Sequence, residues 1–235
     1  MSIIEKVLWP FTRRNWHGRR HQRELDHIRV SLRISDAESR TEQLIMRATQ
    51  WRYRSNGMSD APNTPGSATR MSDEEALEFA EQVFDRARAG DATMLDRLLE
   101  NGLTPNLRNH KGDTLLMLAS YHGHQDAVRV LLKHGADPEI RNDNGQSPIA
   151  GAAFKGDLDV VSILVEGGAE VEGASADGRT ALMMAAMFNR TAIVDYLISK
   201  GANPHVQDAK GVTPLMAAQT MGATETAEQL TRLSV

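Results

Sequence analysis

The sequence predicts an all-α solenoid of stacked helix-turn-helix units with hairpin-like β-turns between them, and three observations carry that prediction. Glycines recur on one ruler. Gly112, Gly145, Gly178 and Gly211 stand 33 residues apart, as do Gly102, Gly135, Gly168 and Gly201, and a third series runs Gly90, Gly123, Gly156, Asn189, Gly222. Small and apolar residues keep the same interval at Ala119, Ala152, Ala185 and Ala218 and at Leu98, Leu131, Leu164, Leu197 and Leu230. Self-similarity at a period of roughly 20–50 residues is the signature of a repeat architecture. The helices that fit inside such a period are short, and isolated helices under ~12 residues are marginal in water, so the units have to stack to exist.

Along the chain, residues 1–57 come first as a basic arm. They hold twelve Lys and Arg against six Asp and Glu, whereas the remaining residues hold fifteen against twenty-five. The net charge of −4 therefore hides two segments of opposite sign, an asymmetry that usually marks different jobs. In FTRRNWHGRRHQRELDHIRV, Arg13, Arg14, Arg19, Arg20 and Arg23 stand near Trp9 and Trp16. That composition suits stacking on nucleic-acid bases or lying on an anionic membrane. Leu25, Ile28, Leu32, Leu44, Ile45, Ala48 and Trp51 make an amphipathic pattern that breaks near Ser35. Three readings of the arm stay open: a functional arm, a solvated tail, and a chain that starts at Met58 or Met71 with its repeats intact. A native mass near 25.9 kDa excludes the shorter starts. Residues 58–71, within the Gly-, Pro-, Ser- and Asn-rich stretch SNGMSDAPNTPGSATR, read as a flexible linker.

Residues 72–235 divide into five units, 76–108, 109–141, 142–174, 175–207 and 208–235, the first and last as caps. In the first, SDEEALEFAEQVFDRARAGD sets Ser72 and Glu75 at capping-box spacing and Leu77, Ala80, Val83, Phe84 and Ala87 on one stripe. The third unit, NGQSPIAGAAFKGDLDVVSILVEGGAE, shows the full pattern. Ser147 is placed to cap an inner helix with Pro148 at its first position, where a missing amide proton costs nothing. Gly156 ends that helix in the left-handed conformation, for which asparagine is the usual second choice at position 189. An outer helix then runs from about Asp157 to Glu166 with Val160, Val161, Leu164 and Val165 on its apolar side, and Gly168 stops it. In the last unit, TETAEQLTRLSV keeps Leu230 but has Thr231 where Leu132, Val165 and Ile198 stand, the polar face a terminal cap needs.

The motifs DTLLMLA, QSPIAGA, RTALMMA and VTPLMAA, with GADPEIRNDNG and GANPHVQDAKG between units, make the chain resemble the ankyrin-repeat family over about residues 76–233. One departure is consistent: the histidine that closes the family's motif is Met117, Ala150, Met183 and Met216 here, which implies a drier inner layer. The resemblance implies a non-catalytic module that binds another protein on the concave side of the stack. Carried over, that surface comprises the inner-helix ends Tyr121 with His122, Phe154 with Lys155 and Met187 with Phe188. It also includes the hairpin tips His110, Lys111 and Asp113, then Asp143, Asn144 and Gln146, then Asp177 and Arg179, then Lys210. Large aromatics rimmed by polar tips are the composition of interface hot spots. The alternative reading is that Tyr121 and Phe154 simply pack between repeats.

Other chemistries find little support. With no cysteine the chain has neither disulfides nor thiolate ligands, which fits a reducing cytoplasm. No phosphate-cradling glycine loop, G-x-S-x-G elbow or helical His pair with an intervening Glu occurs, so no catalytic residue is assigned. His122, His124 and Asp126 resemble a zinc cluster, but the equivalent places hold Lys155 and Asp157, then Phe188 and Arg190. Zinc needs convergent ligands, so no metal or cofactor is expected, and the Gly-His pair at this turn, common in the family the chain resembles, implies that His124 caps the outer helix. The acidic body argues against nucleic acid as its partner and favours a basic protein. A monomer without a membrane span is expected; a nucleic-acid- or membrane-associated adaptor would have to use the arm.

Overall fold

The computed structural model describes residues 73–233; the arm over 1–57, the linker over 58–71 and the cap at Ser72 lie outside them. Among the described residues there are ten α-helices and no β-strand. They are α1 (Asp73–Ala89), α2 (Ala92–Glu100), α3 (Leu115–Tyr121), α4 (Gln125–Lys133), α5 (Pro148–Lys155), α6 (Leu158–Glu166), α7 (Ala181–Met187), α8 (Thr191–Ser199), α9 (Pro214–Met221) and α10 (Thr224–Arg232). Two compact units result. One holds residues 73–82 and 98–104, with Ala76, Phe79, Leu98, Leu99 and Leu103 buried; the other holds 83–97 and 105–233.

In the larger unit the fold follows from capping chemistry. Each inner helix starts at a hydroxyl: Thr114, Ser147, Thr180 and Thr213 accept from the amides of Met117 (3.1 Å), Ala150 (3.4 Å), Met183 (3.3 Å) and Met216 (3.2 Å). Each such cap is worth about 1 kcal/mol to a helix too short to form alone. The inner helices α3, α5, α7 and α9 pack in a row and the outer helices α4, α6, α8 and α10 in a second row behind them. Between the rows Ala119, Ala152, Ala185 and Ala218 are fully buried, small enough to let helices approach closely, and so are Leu131, Leu164 and Leu197. Burying each leucine contributes about 2 kcal/mol. Gly156, at φ +86°, closes α5, and Asn189, at φ +56°, takes the equivalent corner after α7.

Two stripe positions differ from the pattern read in the sequence. Leu77 is 48% exposed while Ala76 and Phe79 are buried, and in α6 it is Ile163 rather than Val165 that reaches the core. On a helical wheel Leu77 and Phe79 flank the α1 stripe at similar angles, as Val165 and Ile163 flank that of α6. Helical period alone cannot choose between them. At the departing motif position Met117 and Met183 are buried, Ala150 is half-buried, and Met216 is 51% exposed because no described inner helix follows α9.

Candidate functional site

The ends of the inner helices bring their predicted residues together. Tyr121 closes α3 and is 40% exposed. Its ring lies parallel to that of Phe154, with centroids 6.3 Å apart, and Phe154 meets Phe188 edge-on at 4.5 Å. Both geometries are ones that aromatic quadrupoles favour. Lys155 holds its Nζ 5.0 Å from the centre of the Tyr121 ring, a cation–π contact. The sequence period pairs Tyr121 and Phe154 with Met187; the continuous row instead runs Tyr121, Phe154, Phe188. Phe188 is the C-cap of α7 and its ring meets that of Phe154, whereas Met187 is half-buried. Beside the row lies an open groove of about 470 Å³ lined by Tyr121, His122, Gln125, Lys155, Asp157 and Asp159.

His122 faces this groove, exposed, with its ring 5.6 Å from that of Tyr121 and 6.2 Å from that of His124. Partial desolvation, followed by the positive charges of His124, Lys155 and Arg88, lowers its pKa and favours the neutral ring. His124 occupies the N-cap position of α4 but makes no side-chain cap. Its Nε2 instead lies 2.7 Å from the Arg88 carbonyl oxygen, one unit back. Arg190 does likewise, its guanidinium donating to the Phe154 carbonyl at 3.4 Å. The ring reaches a carbonyl that the preceding helix leaves unpaired, whereas a carboxylate at the same place, as in Asp157, turns in to accept from Val160 N at 3.0 Å. Close approach adds a second demand for glycine here: a Cβ on Gly90 would lie 2.5 Å from the His124 ring. Among the described residues no group of three or more His, Asp or Glu is placed to hold a metal ion.

The hairpin tips are built on a polar ladder that sequence reading missed. Asn109, Asn142, Ser175 and Asp208 share the 33-residue period, and each side-chain oxygen accepts from the turn's own amides. Asn142 Oδ1, for example, takes Asn144 N at 3.1 Å and Gln146 N at 3.0 Å. Asn, Asp and Ser offer such bonds to a turn almost interchangeably, so no single letter repeats and the ladder is easy to overlook. Of the predicted tips, Asp113 accepts from Asn142 Nδ2 at 2.9 Å and Gln146 from the same group at 3.0 Å. Asp143 pairs with Arg108 at 3.1 Å, and Asp177 with Arg179 at 3.1 Å. The bond from Ser175 and the charge of Arg179 hold the Asp177 carboxyl below the usual range. His110, Lys111, Asn144 and Lys210 project into solvent.

A further ladder joins successive turns. Asn106, Glu139 and Glu172 accept from the amides of Asp137 (2.9 Å), Glu170 (2.9 Å) and Asn203 (2.8 Å), each about one unit on. Arg108 donates to the Arg141 carbonyl at 3.1 Å, and Arg141 in turn to that of Ala174. These bonds fix the height of one tip relative to the next, so the exposed side chains stand on a rigid frame. No helix among the described residues is long and apolar enough to cross a membrane.

A family model of ankyrin repeats in three copies matches residues 84–175 and 149–234 of the chain. Among curated proteins, PA3287 of Pseudomonas aeruginosa, named for ankyrin repeats, is 64% identical over 58 residues. That stretch is 25% of this chain and 34% of the relative, so the match spans about a third of the relative's length.

Proposed function

This chain belongs to the ankyrin-repeat family, whose members generally mediate protein–protein contacts, and on that footing we propose that it is a non-catalytic module that docks a partner protein on its inner-helix face. One observation carries the reading: a ring row, Tyr121 to Phe154 to Phe188, crosses three successive units with its Tyr121 end 40% exposed. An exposed tyrosine backed by two half-buried rings, with a cation beside it, has the composition of an interface hot spot. The tips His110, Lys111, Asn144 and Lys210 form a polar rim on the same reading. A cytoplasmic, monomeric protein belongs to the same proposal.

The test is capture of a partner from the source cell by the full chain, with Tyr121→Ala combined with Phe154→Ala as control. Tyr121 is exposed and Phe154 half-buried, so the expected result is lost capture with the cooperative melt retained. Equal capture by wild type and variant refutes the surface, and collapse of the fold assigns both rings to the core.

A further inference from the structure

The charge of the whole body points to a basic partner, yet the charge on this face is arranged the other way. The inner helices α3, α5, α7 and α9 contain no Asp or Glu, and Lys155 is their single charged residue. The acidic residues sit behind them on the outer row, at Asp126, Asp159, Glu166, Asp195, Glu225 and Glu228. Two carboxylates do reach the groove, and both are engaged. Asp157 accepts from Val160 N at 3.0 Å, where its charge is balanced by the N-terminus of α6, and Asp159 accepts from Gln125 Nε2 at 2.9 Å.

The tips repeat the pattern. Asp143 and Asp177 are paired with arginines, and Asp208 accepts from Lys210 N at 2.8 Å and Val212 N at 2.9 Å. Other cations differ: among the described residues Lys155 and Arg190 meet a ring and a carbonyl rather than a carboxylate, and Lys111 and Lys210 are exposed. His122 beside them has its pKa lowered first by partial desolvation and then by the positive charges of His124, Lys155 and Arg88.

Resting on the docking reading above, we propose that the groove between Tyr121 and Lys155 takes an acidic segment of the partner. Its carboxylates would meet Lys155 and Arg190, and an apolar or aromatic side chain would lie on the Tyr121–Phe154–Phe188 row. Complementary charge sets both the rate and the selectivity of such docking. An overall acidic protein is thereby equipped to hold an acidic peptide: most carboxylates stand on the outer row, the two at the groove are each held in a hydrogen bond, and Lys155 and Arg190 meet a ring and a carbonyl instead of a carboxylate.

The experiment is selection of a displayed library of random dodecapeptides on the immobilised full chain, followed by affinity measurement of the enriched peptides on wild type, Lys155→Glu and Tyr121→Ala. Both positions are exposed, and circular dichroism confirms that each variant is folded. The expected peptides carry net negative charge, bind Lys155→Glu roughly tenfold more weakly or worse, and are lost with Tyr121→Ala. Neutral or basic peptides that are lost with Tyr121→Ala overturn the acidic segment and leave the docking face standing. Acidic peptides that bind Lys155→Glu as they bind wild type overturn the proposal. A selection that yields nothing beyond what the Tyr121→Ala chain yields overturns both readings.

Discussion

Asn142 offers the sharpest test of how the tips are held. Its side chain makes four hydrogen bonds: Oδ1 accepts from Asn144 N and Gln146 N, and Nδ2 donates to Gln146 Oε1 and, across to the previous turn, to Asp113 Oδ1. Asn142 itself is 9% exposed. Asn142→Ala strands two amides and removes a charge-assisted bond between turns. At about 1 kcal/mol for each stranded amide, with a smaller contribution from the lost donations since the neighbours reach water, the expected loss is about 2–3 kcal/mol. For a domain of this size that lowers the melting temperature by roughly 5–10 °C.

The chain's own ladder supplies the graded variants. Asn142→Ser restores one acceptor, as Ser175 does for Arg179 N at 3.0 Å, and should recover part of the loss. Asn142→Asp keeps both acceptor bonds, as Asp208 does, but sets a carboxylate against Asp113 and should be no better than alanine at neutral pH. Urea unfolding followed by circular dichroism gives the ranking, and amide exchange at Asn144 and Gln146 shows whether the tip has loosened. An alanine variant within about 0.5 kcal/mol of wild type, or an aspartate variant equal to wild type, would refute the idea that this side chain joins the two turns.

Two more outcomes are expected. Asn189 accepts from Thr226 N at 3.1 Å, capping the third residue of α10, whose own N-cap is Ala223. Asn189→Ala should therefore cost about 1–2 kcal/mol, from the left-handed backbone and the lost cap together. Asn189→Gly relieves only the backbone and should fall between the two in a urea titration; a glycine variant more stable than wild type would show the cap to be idle. Asp96 has its pKa lowered by its bond to His134 at 2.6 Å and by Lys133 at 3.1 Å. Its contribution is complete above the ordinary carboxylate range and is lost as the pH falls through the lower folded value. Asp96→Asn should lower the urea midpoint at pH 7 and flatten the acid side of the stability profile, and superimposable acid limbs would count against the contact.

Much of this protein was legible in its letters. A glycine that must take a positive φ, a hydroxyl that must meet an orphan amide and a leucine that must leave water each impose a residue type at a fixed place. Any repeat built from them shows its period directly, and Gly156, Ser147 and Leu164 are examples. The ring row was half legible: Tyr121 and Phe154 lie on one period and Phe188 on the neighbouring one, but that Phe188 rather than Met187 continues the row was not readable from spacing. The tip ladder through Asn109, Asn142, Ser175 and Asp208 escaped because its requirement is for an oxygen at the right distance, which several residue types satisfy.

By itself the sequence determined the repeat, its length, the helix starts and stops, and the recurring alanine of the inner and leucine of the outer helices, because these are local demands met within one unit. Packing between units alone decided the rest. It placed Ile163 in the core ahead of Val165, sent the His124 ring to the Arg88 carbonyl, set Asp159 against Gln125 and laid Lys155 over the Tyr121 ring. Residues at the flank of a helical stripe are equivalent until a neighbour arrives, and a side chain 33 or more positions away is invisible to any local rule.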